Sequence, residues 1–316
     1  MLSRRELQPY LGALICVFAM AVAACGRDAG APQDARPRIG LVMKSLANEF
    51  FMEMERGARA HQQQHRDQYE LLATGIKDEV DVGGQINLVE QLVAQRVQAI
   101  VLAPADSKAL VVAAKRALDA GVVVVNIDNK LDADVLAQRG IRVPFAGPDN
   151  RKGARLAAEV VTKRLARDSP VAVIQGLPTA FNGIQRRLGF EDAVRDARLR
   201  LVASQAADWD TAKANQVAAA VVSEHPDVKA LLCANDNMAL GAVAAVRSAG
   251  KEGSIQIVGF DNIPAVRELV KAGRVAATVD QHAGQLAVFG IEYALEILKT
   301  KSTPADRETP VDVITQ

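Results

Sequence analysis

Residues 99–127 read AIVLAPADSKALVVAAKRALDAGVVVVNI, and this stretch decides the fold class. An apolar run at 99–102, an amphipathic run at 107–120 and a second apolar run at 122–127 spell strand, helix, strand. Gly121 falls where a helix C-cap belongs. Strands that are apolar throughout are expected where helices cover both faces of a parallel sheet. Strand, crossover helix and parallel strand join in a right-handed βαβ unit.

The same alternation extends in both directions. Upstream, RIGLVM (38–43) reads as a strand, 49–64 as a helix, 69–73 as a strand and 82–95 as a helix. The pattern restarts after Gly147-Pro148-Asp149-Asn150, with a helix over 152–165, a strand at 171–175 and a helix over 184–195. A strand at 199–206, a helix over 211–224, a strand at 230–234 and a helix over 238–249 follow. The chain closes with a strand at 255–260, a helix over 265–272, a strand at 275–279 and a helix over 286–299. Two α/β halves of similar plan, with no low-complexity linker between them, predict two doubly wound parallel-sheet domains facing each other.

The N-terminus sets the compartment. Ser3-Arg4-Arg5, an apolar run from about Leu11 to Ala24, and Val22-Ala23-Ala24-Cys25-Gly26 have the build of a bacterial export signal over residues 1–24. The apolar run is shorter than the ~20 residues of a membrane span. Its small-small-Cys ending resembles a lipobox, which makes Cys25 the expected lipidation site and places the chain in the periplasm, anchored to a membrane. Residues 25–37, rich in Ala, Gly, Pro and Asp, read as the tether. Cys16 would leave with the signal, so Cys233, in an apolar run, is left without a disulfide partner and is expected as a core residue. The whole chain is 49% apolar and 24% charged, with net charge +1 and no basic stripe, which argues against nucleic acid as a partner.

In open α/β sheets, ligands sit beyond the carboxyl ends of the strands. Those positions hold Lys44, Ser45, Asn48, Phe50 and Phe51, then Asp128 and Asn129. The second half supplies Asn182, Arg186, Trp209, Asn235-Asp236, Asp261-Asn262 and Asp280-Gln281. Carboxylates accept and amides both donate and accept, a set that suits vicinal hydroxyls. Phe51 and Trp209 offer flat faces to a sugar ring from opposite halves. Singly, an Asp or Asn after a strand is most often a helix cap or a turn; the set together points to a hydroxyl-rich ligand.

From Ile39 onward the chain resembles the type I periplasmic sugar-binding proteins, the family of the ribose-binding protein. The resemblance rests on IGLVMKSLANEFF (39–51), the long run from SQAADWDTAKANQ through ALLCANDNMALGAVAAVRSAG (204–250), VGFDN (258–262) and AATVDQ (276–281). It implies two lobes joined by a three-crossover hinge that closes on a sugar. The crossovers fall near Gly147, Gln281–His282 and Thr309–Pro310, giving lobes of 38–147 plus 282–308 and of 148–281 plus 309–316. By position it assigns ligand contacts to Asn48, Phe50, Phe51, Asp128, Trp209, Asn235, Asp261 and Gln281. The chain also departs from the family. Asn129 stands where the ribose proteins have an Arg, Ile184 where they have a second one, and Lys44 where they have a small hydroxyl residue. Neither Asn nor Ile can replace a bidentate guanidinium. Another pentose, a polyol or a furanose derivative is therefore expected in place of ribose, and Lys44 leaves an acidic sugar open. Lys44, Asn129 and Arg186 complete the candidate ligand set, although the position of Arg186 favours a solvated helix face.

The expected function is that of a substrate-binding lipoprotein, a monomer that delivers a sugar or polyol to an ABC permease in the inner membrane. The alternative is a ligand sensor for a chemoreceptor or sensor kinase. A repressor core of the same plan would need a helix-turn-helix headpiece, and an export signal stands in that place. An enzyme is not expected. No G-x-G-x-x-G follows the first strand, no G-x-S-x-G is present, and no cofactor or metal is called for. Asp128 and Asp261 could be imagined as an acid/base pair, but a sugar-binding cleft accounts for them without a reaction. His61 and His65, one helical turn apart amid Gln62, Gln63, Gln64 and Arg66, read as a solvated helix end.

Overall fold

The computed structural model describes residues 36–316; the signal segment and Cys25 lie outside them. The chain begins β1 (Arg38–Ser45), α1 (Glu49–Gln64), β2 (Glu70–Ile76), α2 (Val82–Ala94), β3 (Ala99–Leu102), α3 (Ala109–Asp119), β4 (Val123–Ile127), α4 (Ala133–Gln138) and β5 (Phe145–Pro148). These strands form a parallel sheet in the order β11-β5-β4-β3-β1-β2, where β11 (Arg307–Thr309) returns from the far end of the chain. Side chains alternate across this sheet. Ile39, Leu41 and Met43 join the core on one face, while Val42, Ile100 and Leu102 pack with Val89, Leu92 and Leu110 on the other. Both faces are covered, which is why each strand reads as an unbroken apolar run.

The second layer holds α5 (Asn150–Thr162), β6 (Pro170–Gln175), α6 (Phe181–Asp196), β7 (Arg200–Ala206), α7 (Thr211–Glu224), β8 (Ala230–Cys233), α8 (Asp236–Ser248), β9 (Gln256–Val258) and α9 (Pro264–Lys271). Its parallel strands run in the order β7-β6-β8-β9. Beside β9 lies an antiparallel pair, β10 (Thr278–Asp280) with β12 (Asp312–Ile314), joined to it by the Val258–Ala277 bridge. The chain passes between the layers after β5, between β10 and α10 (Ala283–Thr300), and between β11 and β12. At the second passage α10 lies against α1 so closely that a Cβ on Gly57 would stand 2.3 Å from the Gly284 Cα.

The α/β class and the strand–helix alternation are as the sequence indicates, with differences at the ends. Helix α8 starts at Asp236 instead of 238, because the Asn235 side chain accepts from the Met238 N–H (2.9 Å) and closes the first turn earlier than the apolar pattern shows. Strand β2 runs to Ile76, three residues past the expected 73. Strands β5, β11 and β12 and helix α4 were not expected. Cys233 is fully buried, as a core residue should be. His61 is not a free helix end: its Nδ1 lies 2.8 Å from the Tyr69 hydroxyl.

Candidate functional site

The carboxyl ends of the two sheets converge on a small cavity. Lys44, Asn48, Phe50, Phe51, Glu79 and Asp128 line it from the first layer; Asn182, Arg186, Trp209, Asn235, Asp261 and Gln281 line it from the second.

Backbone strain aims several of these groups. Asp128 (φ 61°), Trp209 (φ 67°) and Asp261 (φ 118°) all have positive φ, as do Asp208 and Asn262 next to them. Such conformations cost of order 1–3 kcal/mol each and cluster at ligand clamps.

Asn48 both caps α1, accepting from the Phe50 N–H (3.0 Å), and donates through Nδ2 to Glu79 Oε1 (3.1 Å). Lys44 Nζ stands 3.7 Å from Glu79 Oε2 and 3.5 Å from Asp128 Oδ2, and lies 5.4 and 5.5 Å from the Phe51 and Trp209 ring centroids. Across the cavity, Arg186 donates from Nε to Asn150 Oδ1 (2.8 Å) and from Nη1 to the Ala234 carbonyl (2.9 Å). It pairs with Asp261 Oδ1 at 3.3 Å and stacks 3.7 Å from the Phe260 ring centroid. Gln281 Nε2 donates to the same Asp261 oxygen (2.7 Å).

Burial governs the ionisation of these groups. It pushes Asp261 up to about 7, against the pull of Arg186, and raises Glu79, against Lys44 and Asn48. It also lowers Arg186, which Asp261 and Asp128 hold charged. Four buried atoms on lining residues have no hydrogen-bond partner: Glu79 Oε2, Asp128 Oδ2, Gln281 Oε1 and the Trp209 indole Nε1. Glu79 Oε2 and Asp128 Oδ2 face only Lys44, and the Gln281 acceptor and Trp209 donor face nothing, so the cavity suits a guest whose groups both donate and accept.

Two expectations need correction. Asn129 does not line the cavity. The left-handed turn at Asp128 sends its amide toward the loop after β3, where Nδ2 donates to the Pro104 carbonyl (2.9 Å). Arg186 is no solvated helix residue; it is 2% exposed and supplies the guanidinium that was missing. Ile184 is 36% exposed and sits in a separate groove with Arg187 and Glu191. Glu79, which also lines the cavity, lies three residues past the end of β2 at Ile76 and well beyond the strand end at 73 that the apolar pattern marks. Asp236 also stands apart: it accepts from Thr278 Oγ1 (2.8 Å) and the Ile263 N–H (2.9 Å), and burial raises its pKa well above the usual range. Among the described residues no cluster of three or more His, Cys, Asp or Glu is placed to hold a metal ion.

A family model described as periplasmic binding protein domain matches residues 39–302. The chain belongs to the periplasmic binding protein family. It is 53% identical over 284 residues to the D-ribose/D-allose-binding protein of Pseudomonas aeruginosa, covering 89% of each chain. It is 36% identical to the D-allose-binding periplasmic protein of Escherichia coli, over 86% of this chain and 88% of that one. Among solved structures, an ABC transporter solute-binding protein from Burkholderia multivorans superposes with a TM-score of 0.87 at 51% identity, over 89% of this chain and all of that one. The Actinobacillus succinogenes solute-binding protein with bound D-allose does so with a TM-score of 0.84 at 33% identity, over 89% and 98%. These relatives are named as sugar-binding proteins and ABC transporter solute-binding proteins, and this family member is not an enzyme.

Proposed function

We propose that this protein captures a neutral monosaccharide of the D-ribose/D-allose type in the interlayer cavity and delivers it to an ABC importer. The observation that carries the reading is the buried polar lining, which leaves Gln281 Oε1 and the Trp209 indole Nε1 without a partner and gives Glu79 Oε2 and Asp128 Oδ2 only Lys44, at 3.7 and 3.5 Å. D-Allose has the ring hydroxyl configuration of D-ribose plus a hydroxymethyl group, so one set of partners serves both. The names of the relatives support this class. The expectation against ribose rested on the loss of both arginines; Arg186 brings one guanidinium to the lining, while the position after Asp128 supplies none.

Charge favours a neutral guest over a sugar acid. The cations Lys44 and Arg186 already face Glu79, Asp128 and Asp261. An added carboxylate would enter a buried site whose cations are already committed.

In this reading residues 38–147 plus 282–308 and residues 148–281 plus 309–316 are lobes that move about the three passages, and sugar shifts the population toward the closed form. Cys25 carries the lipid that keeps the protein beside its permease. The test is a thermal-shift screen followed by calorimetry with D-ribose, D-allose, their epimers D-arabinose and D-glucose, and the corresponding sugar acids. Ribose and allose should bind and the acids should not. Failure of every neutral sugar to bind, or preference for an acid, overturns the assignment.

A further inference from the structure

Helix α6 lacks a cap of its own. Helices α1, α2, α4, α5, α7 and α8 each begin at an Asn or Asp whose side chain accepts from the first turn. Helix α6 begins at Ala180, which has no side chain able to do so. Its first N–H groups find partners on the other layer. The Phe181 N–H donates to Ser107 Oγ (2.9 Å), and the Asn182 N–H donates to Asn129 Oδ1 (3.1 Å). Ser107 follows β3 and Asn129 follows β4, both strands of the first sheet, whereas α6 packs on the second. The two acceptors are linked, Ser107 Oγ donating to Asn129 Oδ1 (3.3 Å), and both side chains are buried.

We propose that Ser107 and Asn129 are a closure latch: positioning residues that cap α6 from the opposite lobe and so slow release of the bound sugar. Neither lines the cavity, so they act through the lobes and leave the choice of sugar to the lining. The geometry explains why Asn replaces a ligand-gripping residue directly after Asp128. That position now reads the helix end instead of the sugar. When the lobes part, the two N–H groups exchange these acceptors for water, so the latch biases closure and does not lock it. The proposal rests on the sugar-capture reading above.

The bond between Ser107 and Phe181 can be cut from either side. Ser107→Ala removes the acceptor. Phe181→Pro removes the donor at the first helical position, where proline is well tolerated, and the extended Ala180 (ψ 128°) suits a residue before proline. Loss of an N-cap bond predicts release of D-ribose and D-allose faster by roughly three- to tenfold in each variant, with association little changed. Stopped-flow Trp209 fluorescence on the full chain reads both rates. The double variant should be no faster than the worse single one, since both remove the same bond. Ser107→Thr should restore slow release, and the ribose-to-allose affinity ratio should stay constant throughout. Wild-type release rates in both single variants, additive effects in the double one, or a changed sugar preference overturn the latch while leaving capture intact. A wild-type chain that binds neither sugar overturns the capture reading and the latch with it.

Discussion

Replacing Arg186 by Met removes a buried cation with many partners. The pair with Asp261, at 3.3 Å, is worth ~5 kcal/mol at an effective dielectric of about 20. Desolvation of the two groups offsets much of that in the native protein. What remains after deletion is a buried carboxylate without its counter-ion, a situation that typically costs ~3–5 kcal/mol. Asn150 Oδ1 and the Ala234 carbonyl lose their donor as well. The sign of the pH dependence follows from Asp261. Its pKa, already about 7, lies above the ordinary carboxylate value, so its ionisation weakens the fold as pH rises from that value toward 7. Without Arg186 that pKa rises further. The carboxyl then stays neutral at pH 5.5 and bears the charge penalty at alkaline pH. Urea unfolding of the sugar-free chain, followed by circular dichroism, should show a deficit of about 3–5 kcal/mol at pH 8.5 that shrinks clearly at pH 5.5. Adding Asp261→Asn should recover part of the loss at pH 8.5. An Arg186→Met chain within about 1 kcal/mol of wild type at pH 8.5 would refute the account, as would a deficit equal at both pH values.

Hydrogen bonds from sugar hydroxyls favour the charged carboxylate. Binding near pH 6.5 should therefore release protons from Asp261 and tighten as pH rises through about 7; calorimetry in buffers of different ionisation enthalpy checks both. Asn235→Ala should weaken sugar binding by ~2 kcal/mol. Asn235→Asp, which keeps an acceptor for the Met238 N–H, should spare the stability of α8, and comparing affinity with melting temperature separates the two effects. Gly57→Val places side-chain carbon against the Gly284 backbone and should cost ~1–3 kcal/mol by overpacking, measured by urea titration.

How far the sequence could be read depended on whether local pattern or distant pairing decides the element. The apolar strands at 38–43, 99–102 and 122–127 declared themselves because both faces of their sheet are covered. Positions beyond those strand ends then led to Lys44, Asn48, Phe51 and Asp128 by counting alone. Glu79 escaped because the alternation in β2 weakens after Ala73, although pairing with β1 carries the strand on to Ile76. Strands β5, β11 and β12 are three or four residues long and exist through partners far away in the chain. Asn129 was misplaced because nothing in the residue types announces the left-handed turn at Asp128.

Helix α6 shows the deepest limit of apolar periodicity. It buries Asn182, Arg186 and Asp192 and leaves Phe181 and Ile184 partly in solvent, the reverse of what an amphipathic reading assumes. Such a helix is stable only if its buried polar face finds partners. Here Asn150, the Ala234 carbonyl and Asp261 hold Arg186, while Arg151 and Arg195 hold Asp192 at 2.6 and 2.7 Å. Ser107 and Asn129 receive the first turn. A polar face satisfied this way does not belong to a core; it belongs to the wall of a cavity, where two of its partners, Ser107 and Asn129, come from the other sheet. Arg186 therefore reads as solvated only while the helix is considered alone. Once its own layer supplies Asn150, the Ala234 carbonyl and Asp261, the same residue is buried in the wall of the cavity.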